Sequence, residues 1–276
     1  MATLETPAQT TPETKTLVNY RVEDGVAVLE LVDPPANTYT HEMMRDLDEC
    51  ILKARFDPEV YVILITGAGE KFFCAGANIN MLQTVDPYFK YNFCLHANET
   101  LTRLEQTPKL VIAAINGHCV GGGLEIAMAA DVRIARKGAG KTGLPEVALG
   151  VLPGTGGTQR LTRLVGKAKA IELMVTGETF DFERGKDLGI LTDVWDATPA
   201  DFMTRILEYG KQFCPPNKAS KAVGNIKRSV QSGAEVPFSE SLAIERELQQ
   251  LLFQSEDAKE GLTAYVEKRK ANFKAK

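Results

Sequence analysis

The sequence predicts an α/β protein whose carboxyl-terminal part is entirely helical. Three observations support this fold class. Short apolar runs rich in β-branched residues recur along the chain and are typical of buried strands. Segments with apolar residues at helical spacing lie between these runs, and the strand-like runs stop after about residue 197. Strands and helices that alternate in this way indicate an α/β core followed by helices.

Four runs predict the strands of the core. "GVAVLELVD" alternates after a turn at Asp24 and Gly25, which is typical of a strand. "VYVILITG" is apolar and β-branched, which predicts burial on both faces. "KLVIAAING" and "DVRIA" predict two further short strands.

Helix signals separate and follow these strands. Asp86 is suited to cap a helix whose first residue is Pro87, and apolar residues then recur at helical spacing. "PGTGGTQ" predicts a tight turn that begins another helix at Thr158. The recurring apolar residues of the first helix are Phe93, Ala97, Leu101 and Leu104.

The pattern of the carboxyl-terminal region predicts amphipathic helices and no further sheet. A capping box at 198–201, with proline at the first helical position, predicts the start of the first helix. Two later helices follow from apolar spacing, and such faces need a partner surface on the core or on another subunit. The apolar positions of one are Leu242, Leu248, Leu251 and Leu252, and one face of the last contains Leu262, Tyr265, Val266, Arg269 and Phe273.

These patterns divide the chain into three parts. Residues 1–15 are polar, lack a secretory or transit pattern and predict a flexible arm. Residues 16–197 form the predicted α/β core, and residues 198–276 form the predicted helical region.

Composition excludes several classes of protein. The 276 residues are 44% hydrophobic, which suffices for a sizeable core, and the net charge of −4 argues against a nucleic-acid or anionic-membrane partner. The five cysteines are odd in number and show no CxxC spacing, which favours reduced thiols in the cytoplasm. The longest uncharged apolar run, 110–124, is 15 residues long, short of the roughly 20 that a membrane span requires.

Two glycine-rich motifs resemble nucleotide-binding loops but are rejected. "KGAGKT" has Ala135 where a phosphate-binding loop needs its first glycine, and "PGTGGTQ" has Gln159 where a dinucleotide fingerprint needs its last. No metal site is expected, because His41, His96 and His118 are scattered and no paired Cys/His spacing occurs. A GxSxG nucleophile motif is also missing from the sequence.

Two other glycine-rich turns predict a binding cleft. "FFCAGANIN" follows the strand "VYVILITG", and "NGHCVGGGLE" follows the strand "KLVIAAI". Small residues allow a ligand to approach the backbone closely, and a helix that begins near Gly122 adds a positive dipole at the same point. Two backbone N–H groups that converge on one oxygen form an oxyanion hole.

Two glutamates in apolar surroundings are candidates for acid–base chemistry. Glu125 lies one turn into the helix after "GGG", and Glu146 follows Pro145 in another apolar stretch. The environment can shift the pKa values of such a pair apart, so that one carboxyl group is ionised and the other is protonated. Structural roles remain open for each alone: Glu125 could be exposed or paired with Arg133, and Glu146 could begin a helix.

Three motifs in order resemble the enoyl-CoA hydratase/isomerase, or crotonase, superfamily. They are "FCAGANI", "GHCVGGGLEIAMAADVRIA" and "GLPEVALGVLPGTGGTQRLTRLVG", and the resemblance extends from the strand near Val26 to "EGLTAYVEKRKANF". It implies a spiral of ββα units with a helical carboxyl-terminal trimerisation region. The protein is therefore expected to be a homotrimer or a dimer of trimers.

The resemblance also implies a set of site residues. The oxyanion hole belongs to the backbone N–H groups of Ala77 and Gly122, the segment 75–80 borders the nucleotide end of coenzyme A, and Lys268 reaches coenzyme A from the tail. Asn78 and Asn80 depart from the family, in which many members have Asp and Lys there. The implied substrate-binding residues are Ala75, Gly76, Asn78, Ile79, Asn80, Pro145 and Lys268.

The implied activity is hydration of an α,β-unsaturated acyl-CoA to a β-hydroxyacyl-CoA. Glu125 takes the proton of the attacking water and Glu146 supplies the α-carbon with a proton, without a cofactor, since coenzyme A is part of the substrate. Alternatives are another crotonase reaction, such as enoyl-CoA isomerisation, a specialised dehydration or methylglutaconyl-CoA hydration, and a non-catalytic binding protein. The presence of both glutamates favours the hydratase over the isomerase.

The residues at 81–105, including Met81, Tyr88, Phe89 and Phe93, are candidates for the acyl wall or for the core.

Overall fold

Strands and helices alternate in the computed structural model, which describes residues 15–276. The predicted arm at 1–15 lies outside the described residues except for Lys15. The strands are β1 Val18–Glu23, β2 Val26–Leu31, β3 Val62–Gly67, β4 Phe72–Cys74, β5 Leu110–Ile115, β6 His118–Val120, β7 Val132–Arg136, β8 Thr142–Gly143 and β9 Asp193–Trp195. The helices are α1 His41–Phe56, α2 Ile79–Thr84, α3 Pro87–Gln106, α4 Gly122–Met128, α5 Gly157–Val165, α6 Lys167–Thr176, α7 Phe182–Asp187, α8 Pro199–Lys211, α9 Ser220–Gly233, α10 Phe238–Phe253 and α11 Glu256–Val266. A short 3₁₀ helix spans Glu146–Leu149.

The main sheet has the order β1-β2-β3-β5-β7-β9. β1 and β2 are antiparallel and the later neighbours are parallel, so each crossover needs intervening chain, as in an α/β fold. The four predicted strands are confirmed as β2, β3, β5 and β7. Every residue of β3 is buried, as its apolar run predicts.

Side chains of the main sheet alternate between two buried clusters. Ile63 and Ile65 of β3 join a cluster with α1 and α3, whereas Val62 and Leu64 join a cluster with Phe202 of α8. The sheet is therefore covered on both faces, and α8 belongs to its packing although it follows the last strand.

A second sheet, β4-β6-β8, positions the glycine-rich turns. Its strands are parallel, so their carboxyl ends meet at one edge. β4 leads into residues 75–77 and β6 into residues 121–122, and α4 begins at Gly122 as expected. The two turns are thus brought side by side.

Several helix ends agree with the sequence and one differs. Asp86 caps α3 by accepting from the N–H of Phe89, and Thr198 caps α8 by accepting from the N–H of Asp201. The predicted last helix is too long, because α11 ends at Val266 and Lys268 adopts a left-handed φ of 56°. Arg269 and Phe273 therefore lie beyond the helix.

A buried ion pair fastens α9 to the core. Lys227 Nζ lies 2.8 Å from Asp131 Oδ2 and donates to the carbonyl of Lys109 at 3.0 Å. Asp131 also accepts from the N–H of Val111, on β5.

The outer helices α10 and α11, in contrast, expose large apolar side chains. These are Phe238, Leu251, Phe253, Leu262, Tyr265 and Val266. In the part of the chain that the structure describes, no helix is long and apolar enough to cross a membrane.

Candidate active site

A cavity of about 330 Å³ lies where the two glycine-rich turns meet. It is enclosed by the turns after β4 and β6, the 3₁₀ helix, part of α3 and the loop before α5. Most of the sequence-predicted site residues line it. These are Ala75, Gly76, Ala77, Ile79, Gly122, Glu125, Pro145 and Glu146.

Three predicted substrate-binding residues do not line this cavity. Asn78 caps α2, accepting from the N–H of Met81 at 3.1 Å, and its side-chain amide donates to Thr38. Asn80 is exposed on α2, and Lys268 is exposed after α11. A single chain therefore places all three outside this cavity.

The glycines at the start of α4 are required by close contacts. Gly121 has φ 56° and ψ −133°, a conformation that disfavours any side chain, and a Cβ there would lie 2.9 Å from Glu146 Oε1. A Cβ on Gly122 would lie 2.4 Å from the ring of Tyr39. The backbone itself thus forms this wall of the cavity.

The two predicted oxyanion donors lie on facing backbone segments. Ala77 forms an isolated parallel bridge with Tyr39. The hydrogen bonds of this bridge join Tyr39 to Gly76 and Asn78, the neighbours of Ala77, so the N–H of Ala77 takes no part in it. Gly122 is the first residue of α4, where N–H groups have no helical acceptor. Within residues 15–276 neither N–H has a hydrogen-bond acceptor. A Cβ on Gly76 would lie only 3.1 Å from the nitrogen of Gly122, so the two turns approach closely.

Glu125 is buried and held at one oxygen. Its residue exposure is 1%, and Oε1 accepts from the N–H groups of Thr155 and Gly157, each at 2.7 Å. Both structural readings of Glu125 are therefore wrong, since it is not exposed and Arg133 donates to the carbonyls of Ile190 and Ala130 instead. Burial raises the pKa of Glu125, and the two N–H donors oppose that rise.

Glu146 is the first residue of the 3₁₀ helix, as the helix-start reading anticipates, but its side chain faces the cavity. Its Oε2 is buried without a hydrogen-bond partner in the described chain. Burial, assisted by the charge of Glu125, raises the pKa of Glu146 to about 7. A carboxyl group with a pKa of about 7 is partly protonated at neutral pH and mostly protonated below it.

The two carboxyl groups therefore differ in a way that suits acid–base chemistry. Glu125 has two N–H donors that stabilise its ionised form, whereas the Oε2 of Glu146 has none among the described residues. Ionising both would place two negative charges in one cavity. The arrangement favours an ionised Glu125 and a protonated Glu146, with Glu125 Oε2 left to bind a water molecule.

Three polar residues of the cavity were not identified from the sequence. Tyr39 and Thr155 meet across the chain, with their hydroxyl oxygens 2.9 Å apart, and Lys90 supplies a positive charge. Lys90 lowers the pKa of both glutamates, although burial outweighs it. "DPYFKYNF" signals a capped helix but does not indicate which face Lys90 occupies.

Of the predicted wall at 81–105, Leu82 and Lys90 line the cavity, whereas the four aromatic and methionine candidates do not. Phe93 is a core residue, and Met81, Tyr88 and Phe89 do not line the cavity. The apolar wall consists of Ile79, Leu82, Ala148, Leu149, Val151 and Leu152.

In residues 15–276 no group of three or more His, Cys, Asp or Glu side chains is placed to hold a metal ion.

The mostly parallel six-stranded sheet and the parallel three-stranded sheet define an α/β protein of the crotonase fold. A family model described as "Enoyl-CoA hydratase/isomerase" matches residues 21–276, and the chain belongs to this family. It is 37% identical over 249 residues to the short-chain-enoyl-CoA hydratase of Clostridium acetobutylicum, covering 90% of this chain and 94% of that one. Identity to the crotonyl-CoA hydratase of Syntrophomonas wolfei is 35% over 255 residues, covering 92% and 96%.

A solved structure shows the same architecture. The crystal structure of "Enoyl-CoA hydrates" from Geobacillus kaustophilus HTA426 superposes with a TM-score of 0.91 at 44% identity. The match covers 95% of this chain and 98% of that chain.

Proposed function

We propose that this protein is an enoyl-CoA hydratase, which adds water reversibly across the α,β double bond of an enoyl-CoA thioester. The observation that carries the proposal is the pair of differently tuned carboxyl groups, Glu125 and Glu146, in one cavity with two backbone N–H groups. Relatives named as hydratases, similar over nine tenths of the chain, support the same activity.

The proposed reaction uses each group once. The N–H groups of Ala77 and Gly122 donate to the thioester oxygen and stabilise the enolate that forms when water attacks the β-carbon. Glu125 Oε2 accepts the proton of that water, and the protonated Glu146 gives its proton to the α-carbon. The reverse sequence dehydrates the β-hydroxyacyl-CoA.

The isomerase alternative needs only one carboxyl group to move a proton. The presence of two glutamates with opposed environments favours hydration. The test is loss of the ultraviolet absorbance of a conjugated thioester, with crotonyl-CoA as the first substrate. Conversion of a β,γ-enoyl-CoA without hydration of crotonyl-CoA would support the isomerase. No turnover of any enoyl-CoA, with measurable coenzyme A binding, would support a binding protein.

The remaining predicted contacts are assigned to the two ends of the substrate. The resemblance implied that all of 75–80 borders the nucleotide end; because Ala75, Gly76 and Ile79 line the cavity with Pro145, we propose instead that these four border the thioester and the acyl group. The nucleotide end is assigned to Asn78, Asn80 and Lys268, which lie outside the acyl cavity. Replacing Lys268 by methionine is then expected to raise KM for acyl-CoA and to leave kcat unchanged, and an unaltered KM would remove Lys268 from the proposal.

The proposed reaction requires no metal and no redox cofactor, because backbone N–H groups stabilise the enolate. Activity that EDTA abolishes and a divalent metal restores would contradict this.

Assembly into a homotrimer or a dimer of trimers is part of the proposal. Large apolar side chains remain exposed on α10 and α11, and a second subunit is the surface expected to cover them. The proposed roles are catalysis by residues 16–197 and assembly by residues 198–276. A stable active monomer in light scattering would contradict the assembly.

A cytoplasmic location is also proposed. All five cysteines are free thiols, and Cys74, Cys119 and Cys214 are buried. Such thiols fit a reducing compartment, and fractionation of the native cells is the test.

A further inference from the structure

Tyr39 contacts both halves of the candidate oxyanion hole. Its backbone N–H donates to the carbonyl of Gly76 and its carbonyl accepts from the N–H of Asn78, each at 3.0 Å. These two bonds hold the segment on both sides of Ala77 and so fix the direction of the N–H of Ala77. The contact depends on the backbone and survives changes of the side chain.

The ring of Tyr39 packs against the second donor. It lies beside Gly122, where a Cβ would come within 2.4 Å of Cε1 and 2.5 Å of the hydroxyl oxygen. On its other side the ring meets Phe93, with centroids 5.7 Å apart. The residue is 2% exposed, so its position is fixed by packing.

The hydroxyl group of Tyr39 connects this wall to Glu125. It lies 2.9 Å from Thr155 Oγ1, and the backbone N–H of Thr155 donates to Glu125 Oε1 at 2.7 Å. Burial, together with the charge of Glu125, raises the pKa of Tyr39 well above its usual value. The hydroxyl therefore keeps its proton across any practical assay range.

We propose that Tyr39 is a positioning residue that fixes the general base relative to the oxyanion hole, through the hydrogen bond between its hydroxyl group and Thr155. The inference rests on the proposed hydratase function. A buried tyrosine commonly finds one partner for its hydroxyl. Here that partner is the residue whose N–H holds the catalytic carboxylate, which gives the bond an effect beyond packing.

Tyr39→Phe tests the hydroxyl alone, because the ring still fills the space beside Gly122 and the backbone bonds remain. The loss of one neutral hydrogen bond is expected to lower kcat about three- to tenfold with KM nearly unchanged. The acidic limb of the pH–rate profile should move to higher pH, since a looser Thr155 N–H stabilises the ionised base less well.

Other charged groups face Glu125 and stay constant in this variant. They are Glu146 from the 3₁₀ helix, Lys90 from α3 and Arg160 from α5. A shift of the acidic limb is therefore assigned to the hydroxyl. Tyr20→Phe is the matched control, because the Tyr20 hydroxyl is also buried but has no partner in the described chain. This control is expected to leave the rate and pH profile unchanged.

A double-mutant cycle with Thr155→Val examines the connection itself. If the hydroxyl acts through Thr155, Tyr39→Phe will have little further effect on kcat in the Thr155→Val background. Full additivity of the two substitutions would overturn the proposal. So would a loss of thermal stability in Tyr39→Phe with an unmoved acidic limb.

A measurement that needs no turnover separates this inference from the proposed function. The carboxyl carbon of Glu125 is titrated by ¹³C NMR in wild type and Tyr39→Phe, with Glu125→Gln giving the assignment. A higher pKa in Tyr39→Phe supports the positioning role, and an unchanged titration overturns it. Absence of enoyl-CoA hydration by the wild type would instead overturn the hydratase function.

Discussion

Replacing Glu125 by glutamine is expected to remove the base and keep the shape of the site. Oε1 accepts two backbone N–H bonds at 2.7 Å, from Thr155 and Gly157. The amide oxygen of glutamine must occupy this position, because an NH₂ group cannot accept. The NH₂ group then stands where Oε2 would bind water, and it donates a hydrogen bond where a base must accept one.

The expected loss in kcat is roughly 10²–10⁴-fold, the usual contribution of a positioned general base. KM should change little, since the N–H groups of Ala77 and Gly122 still bind the thioester oxygen. The double variant with Glu146→Gln should be less impaired than the product of the two single losses, because both carboxyl groups serve one addition of water.

The assay is the steady-state disappearance of conjugated thioester absorbance, with folding checked by circular dichroism. Glu235→Gln is the matched control, since Glu235 is exposed and pairs only with Arg163 on the surface. Near-normal turnover by Glu125→Gln would refute the mechanism and reduce Glu125 to a structural acceptor for the turn at Thr155.

Three further substitutions test other parts of the structure. Gly121→Ala should lower the free energy of unfolding by about 1–3 kcal/mol through backbone strain. It should also remove most activity, because the new Cβ would contact Glu146, the proposed general acid. Gly69→Ala, at a position with a left-handed φ but open space around it, should keep its activity. Lys227→Met should lower the free energy of unfolding in urea by up to about 3 kcal/mol, because half-buried Asp131 loses its cation and keeps only the donors of Val111 and Gln231. Lys90→Met removes a cation that lowers the pKa of the general acid, so the alkaline limb of the pH–rate profile should move to higher pH; an unmoved limb would contradict this.

Strands β2, β3, β5 and β7 could be predicted because local composition determines them, whereas β1 and β9, at the edges of the same sheet, were not predicted. β3 is apolar over its whole length, and such a run is stable only between two covered faces. β4, β6 and β8 have only two or three residues, too few to show a period. Their pairing comes from the long-range arrangement of the chain, so they appeared in the sequence only as glycine-rich turns.

The candidate site was predictable where chemistry required unusual residues. Consecutive glycines and a carboxylate are unfavourable in an apolar helix. Their presence there therefore predicts a functional role for Gly122 and Glu125. Tyr39, Thr155 and Lys90 carry no such signal. Each is an ordinary residue locally, and its role follows from contacts across the chain, as in the bond from Tyr39 to Thr155.

The pairing of β4 with β6 has a consequence for redesign. Ala77 and Gly122, the two proposed donors, come shortly after these neighbouring strands, whose backbones lie about 4.7–4.9 Å apart where they are hydrogen-bonded. That spacing is a property of the backbone and is insensitive to the side chains around it. The acyl wall at 148–152 belongs to a different segment. Selectivity for the acyl group can therefore be changed there by mutation while the geometry of the donors is retained.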